Sequence, residues 1–332
     1  MSNQGRAIRF HETGNPVTTP VIDELSTPDP AAGEVTVRIE QVPIHPADLN
    51  TITGTYGKKP ELPAVPGSEA FGRIEAVGAD VPDSMAVGTP VILRHRTGTW
   101  RDFMTLEADG VTPVPEALDP QQAAMLKINP VTAWRLLHEP MSLNAGDWVV
   151  QNAANSAVGI CLIQVAAHLG IHTLNVVRSE GAAEPCRSVG AEHVFLDDDS
   201  MVAEALKVTD GARPRLACNA VSGPAAIKLM DLLGPSGRMV TYGAMSRQAM
   251  KIPNSFLIFK DLSFTGLWVT RWLESASTEE WNEVISTLAD LMVSGALKIP
   301  VAASYPAEDF RDALEHANKD QRNGKIMLDF TK

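Results

Sequence analysis

Short segments of alternating apolar and polar residues dominate the first part of the chain. The clearest are residues 34–44, 69–78 and 89–95. Such alternation has the period of a half-buried strand, and Pro and Gly residues separate the segments. The pattern predicts a compact antiparallel barrel or sandwich over about the first 125 residues.

The apolar spacing becomes helical over residues 121–139, with an expected interruption at Pro130. From Asp147 onwards, short apolar strands alternate with helices, which are expected to end at Gly170 and near Gly234. The predicted strands are WVVQNA, HTLNVVR, LACNAV and RMVTYGA. This alternation is typical of a parallel sheet made from βαβ units.

The C-terminal part of the chain has two further predicted elements. A helix is expected over residues 278–294, and KIMLDF is expected to form a strand. Because no helix follows that strand, it is predicted to return to the N-terminal domain. The whole chain is therefore expected to be an α/β protein of two domains.

Composition narrows the classes of partner. The chain has 332 residues, of which 44% are hydrophobic and 20% charged, and a formal net charge of -12. Such a charge disfavours nucleic acid and anionic membranes, although a local basic pocket can still bind an anionic ligand. No apolar run has the roughly 18 residues needed to span a bilayer. The N-terminus resembles neither a signal peptide nor a transit peptide, so a cytoplasmic protein is expected.

Three cysteines, Cys161, Cys186 and Cys218, lie far apart and form no CxxC pair. They are expected to be small buried apolar side chains rather than a disulfide framework or metal ligands.

The segment AANSAVG lies between a predicted strand and a long helix, where a Rossmann fold has its phosphate loop. Small residues there let backbone N–H groups approach a pyrophosphate. They are Ala153, Ala154, Ser156, Ala157 and Gly159. Asn152 and Asn155 are expected to adopt unusual backbone angles or to bond the phosphates. The strict GxGxxG spacing is absent, so an ordinary strand–turn–helix also fits.

Arg178 lies at the end of the next predicted strand, 19 residues after Gly159. NAD enzymes place an acidic residue near this position for the ribose 2′-hydroxyl, whereas a guanidinium attracts a 2′-phosphate. Arg178 therefore favours NADPH over NADH. A solvated arginine at a strand end is the alternative interpretation.

Several stretches, in order along nearly the whole chain, resemble the zinc-independent 2-enoyl thioester reductases of the medium-chain dehydrogenase/reductase superfamily, in particular the mitochondrial trans-2-enoyl-CoA reductase group. They are HPADLNTITGTYG, ELPAVPGSEA, GTWR, INPVTAW, QNAANSAVG, NVVR, GAEHV, MVTYGAM and LIFKDL. The resemblance implies a β-rich GroES-like barrel as catalytic domain, residues 1–123 and 300–332. It also implies a Rossmann NADPH-binding domain with a doubly wound parallel sheet, residues 124–299.

The resemblance further implies a homodimer formed through the Rossmann sheets, and reduction of the α,β double bond of enoyl-CoA or enoyl-ACP in lipid metabolism. It assigns Tyr56 as the catalytic residue. The cofactor-binding residues that it implies are Asn129, Asn155, Ser156, Ala157, Val158, Arg178, Ser179, Glu180, Tyr242, Gly243, Ala244, Met245, Leu267, Trp268, Val269, Thr270 and Lys325.

Conjugate reduction needs hydride at Cβ, a proton at Cα and donors near the thioester carbonyl, but no metal. Tyr56 is one of three tyrosines and lies in the GTYG turn, where a side chain packs poorly into a core. A phenol keeps its proton at neutral pH, so Tyr56 can protonate Cα directly or hold the carbonyl while water does so. An ordinary amphipathic loop tyrosine is the alternative.

Zinc-dependent relatives need Cys and His ligands that this chain lacks. Pro46 follows His45 where such relatives have Cys followed by His, and Ser68 precedes Glu69 where they have a His–Glu pair. A zinc enzyme is therefore not expected, and His45 is interpreted as a loop histidine.

Two segments allow more than one interpretation. Arg94, His95 and Arg96 either bind an anion, such as a phosphate of the acyl carrier, or form an exposed basic loop. The segment FTGLWVTRW, with Trp268 and Trp272, is suited either to an acyl chain or to core or dimer packing.

Two other functions remain open. A quinone oxidoreductase or general enone reductase would share the fold and NADPH but would not need Tyr56 as an acid. An NADPH-binding protein without catalysis would need neither Tyr56 nor Asn129. The sequence favours the enoyl thioester reductase, with NADPH as cofactor and an acyl thioester as substrate.

Overall fold

A computed structural model describes residues 3–57, 59–95, 98–319 and 322–332. The chain divides into two compact units. The first unit comprises Met1–Ile128, Ala276–Gly295 and Ile299–Lys332, and the second comprises Asn129–Ser275 and Ala296–Lys298. The predicted boundaries at 123/124 and 299/300 differ from this division, since residues 124–128 and 276–295 group with the first unit.

Fifteen strands lie within the described residues. They are β1 Asn3–Arg9, β2 Val21–Thr27, β3 Glu34–Pro43, β4 Phe71–Val77, β5 Pro90–Leu93, β6 Phe103–Glu107, β7 Val111–Pro113, β8 Trp148–Asn152, β9 His172–Val177, β10 His193–Leu196, β11 Leu216–Asn219, β12 Arg238–Thr241, β13 Ser263–Gly266, β14 Val301–Pro306 and β15 Lys325–Asp329.

Eleven α-helices lie in the same part of the chain. They are α1 Pro46–Ile52, α2 Pro120–Ala124, α3 Asn129–His138, α4 Ala157–His168, α5 Glu180–Ser188, α6 Met201–Val208, α7 Ala225–Leu232, α8 Asn254–Phe259, α9 Val269–Ser275, α10 Thr278–Val293 and α11 Phe310–Asn318. None of these helices has the length and apolar character that crossing a membrane requires.

The first unit contains a mostly antiparallel sheet of seven strands in the order β14-β15-β3-β4-β5-β7, with β6 also paired to β3. The predicted return of KIMLDF is confirmed, because β15 pairs antiparallel with β3 and Met327 lies opposite Pro43. The alternating segments form β3, β4 and β5. Apolar side chains from these strands pack with Trp100 and Phe310 into one core.

The second unit contains a parallel sheet of six strands in the order β10-β9-β8-β11-β12-β13. The order reverses between β8 and β11, as in a doubly wound dinucleotide-binding sheet. Two apolar clusters cover the sheet, one built with α6 and α7 and the other with α4 and α5. The predicted α/β architecture is confirmed.

The expected interruption of a helix at Pro130 is wrong. Pro130 lies in the first turn of α3, where its missing N–H breaks no helical hydrogen bond. The break comes earlier, after α2 ends at Ala124. The periodicity spans both helices, which is why the sequence alone suggested one interrupted helix.

Candidate active site

The parallel sheet brings most of the predicted cofactor residues to one edge. Residues 155–158 follow β8, 178–180 follow β9, 242–245 follow β12 and 267–270 follow β13. Because the four strands are parallel, all these segments lie at the carboxyl edge of the sheet, where ligands of doubly wound folds bind. Asn129 is the first residue of α3 in the same unit. Tyr56 and Lys325 belong to the first unit.

The loop between β8 and α4 is a tight turn. Ala153 has a φ of 48°, and the Ser156 Oγ accepts a hydrogen bond of 3.2 Å from the Gly159 N–H. A Cβ on Gly159 would lie 2.4 Å from the Ala154 carbonyl oxygen, so only glycine allows the helix to approach the turn. The first turn of α4 thereby presents backbone N–H groups and the positive end of the helix dipole.

The expectation for the two asparagines is corrected at Asn152. Ala153, not an asparagine, has the left-handed backbone angle. The Asn152 side chain is buried, donates to Asn219 Oδ1 (2.9 Å) and accepts from the Ala220 N–H (2.7 Å). The buried Asn152 side chain therefore connects the end of β8 to the loop after β11. Asn155 is the partly exposed asparagine of the turn.

The loops after β11 and β12 approach each other closely. The Tyr242 N–H donates to the Asn219 carbonyl (3.0 Å), and the Met245 N–H donates to the Ala220 carbonyl (3.1 Å). A Cβ on Gly243 would lie 2.8 Å from the Ala220 carbonyl oxygen, which explains the glycine. Burial raises the pKa of the Tyr242 phenol above its usual range.

Arg178 is exposed directly after β9, and Ser179 is the N-cap of α5. The Glu180 carboxylate accepts a hydrogen bond of 2.6 Å from the Arg187 guanidinium. This ion pair compensates the negative charge of Glu180 beside Arg178. The segment can therefore present a net positive charge to a phosphate.

Segment 267–270 joins β13 to α9, and the Leu267 N–H donates to the Thr241 carbonyl at 3.1 Å. Trp268 is 42% exposed, whereas Thr270 and Trp272 are buried. Trp272 lies against the Arg135 guanidinium at 5.4 Å, and Phe264 packs against the sheet core. Phe264 and Trp272 are thus packing residues, and only Trp268 presents a large exposed ring.

Among the described residues of the second unit, two buried donor atoms, Asn129 Nδ2 and Tyr242 Oη, have no hydrogen-bond partner, and neither does one buried acceptor, Gln151 Oε1. Buried donors of this kind are rare unless a ligand or water satisfies them. Together with the Gly159 and Gly243 positions, where a Cβ would fill the space, they fit a bound dinucleotide. The carboxyl edge of this sheet is therefore a candidate cofactor site.

Tyr56 lies four residues after α1, and its side chain is partly exposed. The N–H groups of Thr55 and Tyr56 both donate to the Asn50 carbonyl, at 2.9 Å and 3.1 Å. The turn is thus tied to the last turn of α1. The Tyr56 phenol is therefore a partly exposed group on an anchored turn.

Lys325 is buried in the first unit, at the start of β15. Its Nζ donates to His45 Nδ1 at 2.9 Å and to the Ile44 carbonyl at 3.3 Å. His45 is also buried, and its Nε2 lies 2.6 Å from Glu69 Oε1. Sequence reasoning missed this cluster, because it interpreted His45 as a loop histidine and Glu69 only as part of an absent zinc motif.

The structure favours packing for Arg94. Its guanidinium donates to the Ala276 carbonyl at 2.7 Å and lies 5.4 Å from the Trp281 ring. His95 is exposed, and its carbonyl accepts a hydrogen bond of 3.1 Å from the buried Lys127 ammonium. Arg96 lies outside the described residues. Because the Arg94 guanidinium makes these internal contacts, it does not support anion binding by this segment.

The three cysteines form no disulfide and are buried in the second unit, as expected for apolar packing residues. Within the described ranges no group of three or more His, Cys, Asp or Glu side chains is placed to hold a metal ion.

Two family models match the chain. The alcohol dehydrogenase GroES-like domain matches residues 31–116, and the zinc-binding dehydrogenase model matches residues 157–290. The human mitochondrial enoyl-[acyl-carrier-protein] reductase is 36% identical over 97% of this chain and 88% of its own length. The chain belongs to the zinc-independent medium-chain dehydrogenases/reductases, in the enoyl thioester reductase group.

Further similar proteins include both enoyl thioester reductases and a quinone reductase. The Caenorhabditis elegans mitochondrial enoyl-[acyl-carrier-protein] reductase is 40% identical over 87% of this chain and 84% of its own length. Among solved structures, the Etr1p/NADP/crotonyl-CoA complex has a TM-score of 0.88 at 25% identity, covering 99% of this chain and 100% of that chain. A putative NADPH:quinone reductase from Bacillus thuringiensis has a TM-score of 0.91 at 28% identity, covering 99% of both chains.

Proposed function

We propose that this enzyme reduces the α,β double bond of 2-enoyl thioesters with NADPH. The observation that carries the proposal is the 36% identity, over 97% of the chain, to an enoyl-[acyl-carrier-protein] reductase. The carboxyl edge of the parallel sheet supports it with a phosphate loop, an exposed Arg178 and two unpaired buried donors. The structurally similar Etr1p complex contains crotonyl-CoA, and the human relative is named for acyl carrier protein. Thioesters of CoA and of acyl carrier protein are therefore both proposed as substrates.

The reaction adds a hydride at Cβ and a proton at Cα of the substrate. NADPH, when bound, supplies the hydride. Backbone N–H groups at the start of α4 would hold its phosphates, and Arg178 would hold the 2′-phosphate. Asn129 Nδ2, a buried donor with no partner in the described structure, orients an acceptor on the cofactor or substrate.

Tyr56 acts at the second half of the reaction. After hydride transfer the thioester oxygen carries enolate charge, which a nearby O–H donor stabilises. The Tyr56 phenol donates its proton to Cα, or donates a hydrogen bond to the oxygen while water protonates Cα. Its partial exposure lets solvent restore the proton after each turnover.

Replacement of Tyr56 by Phe tests the proposal. We expect kcat for crotonyl-CoA to fall by about 10²- to 10⁴-fold, the range for loss of a positioned acid. The KM for NADPH should stay unchanged, because Tyr56 lies outside the cofactor residues. NADPH oxidation, followed by absorbance, measures both constants.

Tyr305→Phe is the matched control. Tyr305 is in the same unit, and its hydroxyl lies 3.0 Å from His316 Nδ1, so it takes part in a local packing pair. This control should reduce crotonyl-CoA at the unmodified rate. Retention of full activity by Tyr56→Phe would exclude the proposed acid.

The second candidate is reduction of quinones or enones, which the likeness to a putative NADPH:quinone reductase favours. Hydride transfer to a quinone needs no protein acid at carbon. A quinone reductase would oxidise NADPH with benzoquinone faster than with crotonyl-CoA, and Tyr56→Phe would leave that rate intact. Rates with crotonyl-CoA and with benzoquinone, measured for the unmodified enzyme and for Tyr56→Phe, separate the two functions.

We also propose that two copies of the chain associate through the edge of the parallel sheet. β13 is an edge strand, so one side of its backbone has no partner strand among those described. The end of α8, which precedes it in the chain, has apolar exposed residues, with Ile258 at 69% and Phe259 at 82% exposure. Homodimers are the commonest assemblies that cover such a surface.

Cytoplasmic localisation remains a prediction. The human and Caenorhabditis elegans relatives are named mitochondrial, so the mitochondrion is the alternative compartment. Cell fractionation with an antibody against the chain would decide between the two compartments.

A further inference from the structure

Five buried polar side chains form one cluster in the first unit, called here the polar cluster. They are His45, Asp48, Ser68, Glu69 and Lys325, with exposures of 4%, 1%, 2%, 1% and 8%. Three of them are formally charged. None of its members has a role in the mechanism above, and only Lys325 is among the predicted cofactor residues.

The hydrogen bonds define the proton on His45. A lysine ammonium has only donors, so His45 Nδ1 must accept from Lys325 Nζ. The ring is then neutral and carries its proton on Nε2, which donates to Glu69 Oε1 at 2.6 Å. The His45 imidazole therefore connects the Lys325 ammonium to the Glu69 carboxylate.

Glu69 extends this connection to the last residue before Asn129. Its second oxygen, Oε2, accepts a hydrogen bond of 2.8 Å from the Ile128 N–H. Its backbone carbonyl accepts from the Thr99 hydroxyl at 3.0 Å. The carboxylate is thus held on both oxygens, and it fixes the backbone at the residue that precedes a predicted cofactor contact.

Asp48 provides a second branch, which leads to Tyr56. One carboxylate oxygen accepts from the His45 N–H at 2.9 Å, and the other accepts from the Ser68 hydroxyl at 2.6 Å. His45 is the N-cap of α1, so the branch fixes the start of this helix. The Asn50 carbonyl of the same helix receives the N–H of Tyr56 at 3.1 Å.

Stability alone is a weak reason for such a cluster. Burying two carboxylates and an ammonium costs desolvation energy, and well-packed apolar side chains in similar places are often as stable or more so. A fully hydrogen-bonded cluster does, however, hold its attached segments in one arrangement. Here the attached segments lead to Tyr56 and to Asn129.

We propose that His45 and Glu69 are positioning residues of the reductase, which place Tyr56 through α1 and the backbone before Asn129 through Ile128. The proposal rests on the proposed role of Tyr56. Lys325 contributes by holding the His45 ring in the tautomer that donates to Glu69.

A double-mutant cycle between His45→Gln and Tyr56→Phe tests the positioning. Gln cannot bond Lys325 and Glu69 in the geometry of the ring, so we expect kcat for crotonyl-CoA to fall about 10-fold with an unchanged KM for NADPH. In the Tyr56→Phe background the same change should cost less than about 2-fold, because the placed group is already absent. Equal losses in both backgrounds would overturn the proposal.

Hydrogen–deuterium exchange gives a readout that does not depend on activity. His45→Gln should speed exchange over residues 46–57 and leave the peptides of β8 to β13 unchanged. Ser68→Ala, which removes only one hydrogen bond to Asp48, should give a smaller change at the same segment. Unchanged exchange over 46–57 in both variants would refute positioning, and uniformly faster exchange would indicate only a structural role.

Thr36→Val is the matched control. It removes another buried hydrogen bond of the same unit, 2.8 Å between the Thr36 and Thr105 hydroxyls, at a place that does not lead to Tyr56. It should leave kcat and exchange over 46–57 unchanged. If Tyr56→Phe alone proves fully active, the proposed acid fails, and the exchange data still decide whether the polar cluster holds the turn.

Discussion

At the residue scale, the cofactor edge is identified by polar atoms that lack partners rather than by a strict motif. Asn129 Nδ2 and Tyr242 Oη are buried and unpaired within the described structure, whereas Asn152 and Asn219 bond each other. Leaving a buried donor unpaired costs about 1–3 kcal/mol, so a ligand that pairs with it gains affinity. In the sequence these four residues are simply polar. Only their hydrogen bonds in the folded protein distinguish the candidate ligand contacts from the residues that bond internally.

Arg178 should decide the preference for NADPH. We expect Arg178→Ala to raise the KM for NADPH roughly 10- to 100-fold, the equivalent of one lost hydrogen bond to a charged group. The KM for NADH should change little, because NADH has no 2′-phosphate. Initial rates with both cofactors measure the two constants.

Arg213→Ala is the control for this substitution, since Arg213 bonds the Asp231 carbonyl elsewhere in the same unit. It should leave both KM values unchanged. Equal changes in the KM values for NADPH and NADH in Arg178→Ala would show that the arginine does not bind the 2′-phosphate.

At the scale of elements, the turn between β8 and α4 replaces the glycine-rich fingerprint with small residues and one glycine. Gly159 is essential to this geometry because a Cβ would lie 2.4 Å from the Ala154 carbonyl oxygen. Ala153 has a φ of 48°, a conformation that usually favours glycine. The element therefore forms without the GxGxxG spacing, which is why spacing alone was a weak predictor.

Gly159→Ala should displace α4 from the turn. We expect a loss of about 1–3 kcal/mol of unfolding free energy, as for other overpacked sites. The rise in Tm that saturating NADPH produces should also shrink, because the N–H groups of the helix move. Thermal unfolding with and without NADPH measures both effects.

Gly181→Ala makes the same chemical change at the start of α5, where an added Cβ meets nothing within 4 Å. It should be neutral or slightly stabilising, because Ala favours a helix over Gly by about 1 kcal/mol. A Gly159→Ala protein that unfolds like this control would contradict the close approach.

At the scale of the whole molecule, β13 is the edge strand of the parallel sheet among the described strands, and consecutive exposed apolar side chains precede it in the chain. Leu257, Ile258 and Phe259 are 43%, 69% and 82% exposed. Isolated exposed apolar residues are common, but consecutive ones beside a strand edge are typical of an interface. The surface therefore supports self-association of this enzyme.

Phe259→Asp should convert the proposed dimer into a monomer, because a carboxylate would have to be desolvated at the proposed interface. Sedimentation velocity measures the change in mass, and NADPH binding checks that the second unit stays folded. Val87→Asp is the control, since Val87 is also exposed, at 63%, but belongs to the first unit. A Phe259→Asp protein with the sedimentation of the unmodified chain would place the interface elsewhere.

The sequence by itself determined the α/β class, the strands around the phosphate loop and the return of β15, because apolar periodicity and turn residues are local signals. It also placed residues 155–158 and 178–180 at the ends of the strands that carry them. The edge strand β13 and the short helix α8 were missed, since neither has a strong period.

Only the tertiary structure decided which polar residues act together. His45 and Lys325 are 280 positions apart in the chain, yet their side chains lie 2.9 Å apart. Likewise, nothing local distinguishes Asn152, which is bonded internally, from Asn129, whose amide is unpaired in the described residues. Burial and hydrogen bonding depend on what the folded chain brings alongside each side chain, and a one-dimensional pattern does not contain that information.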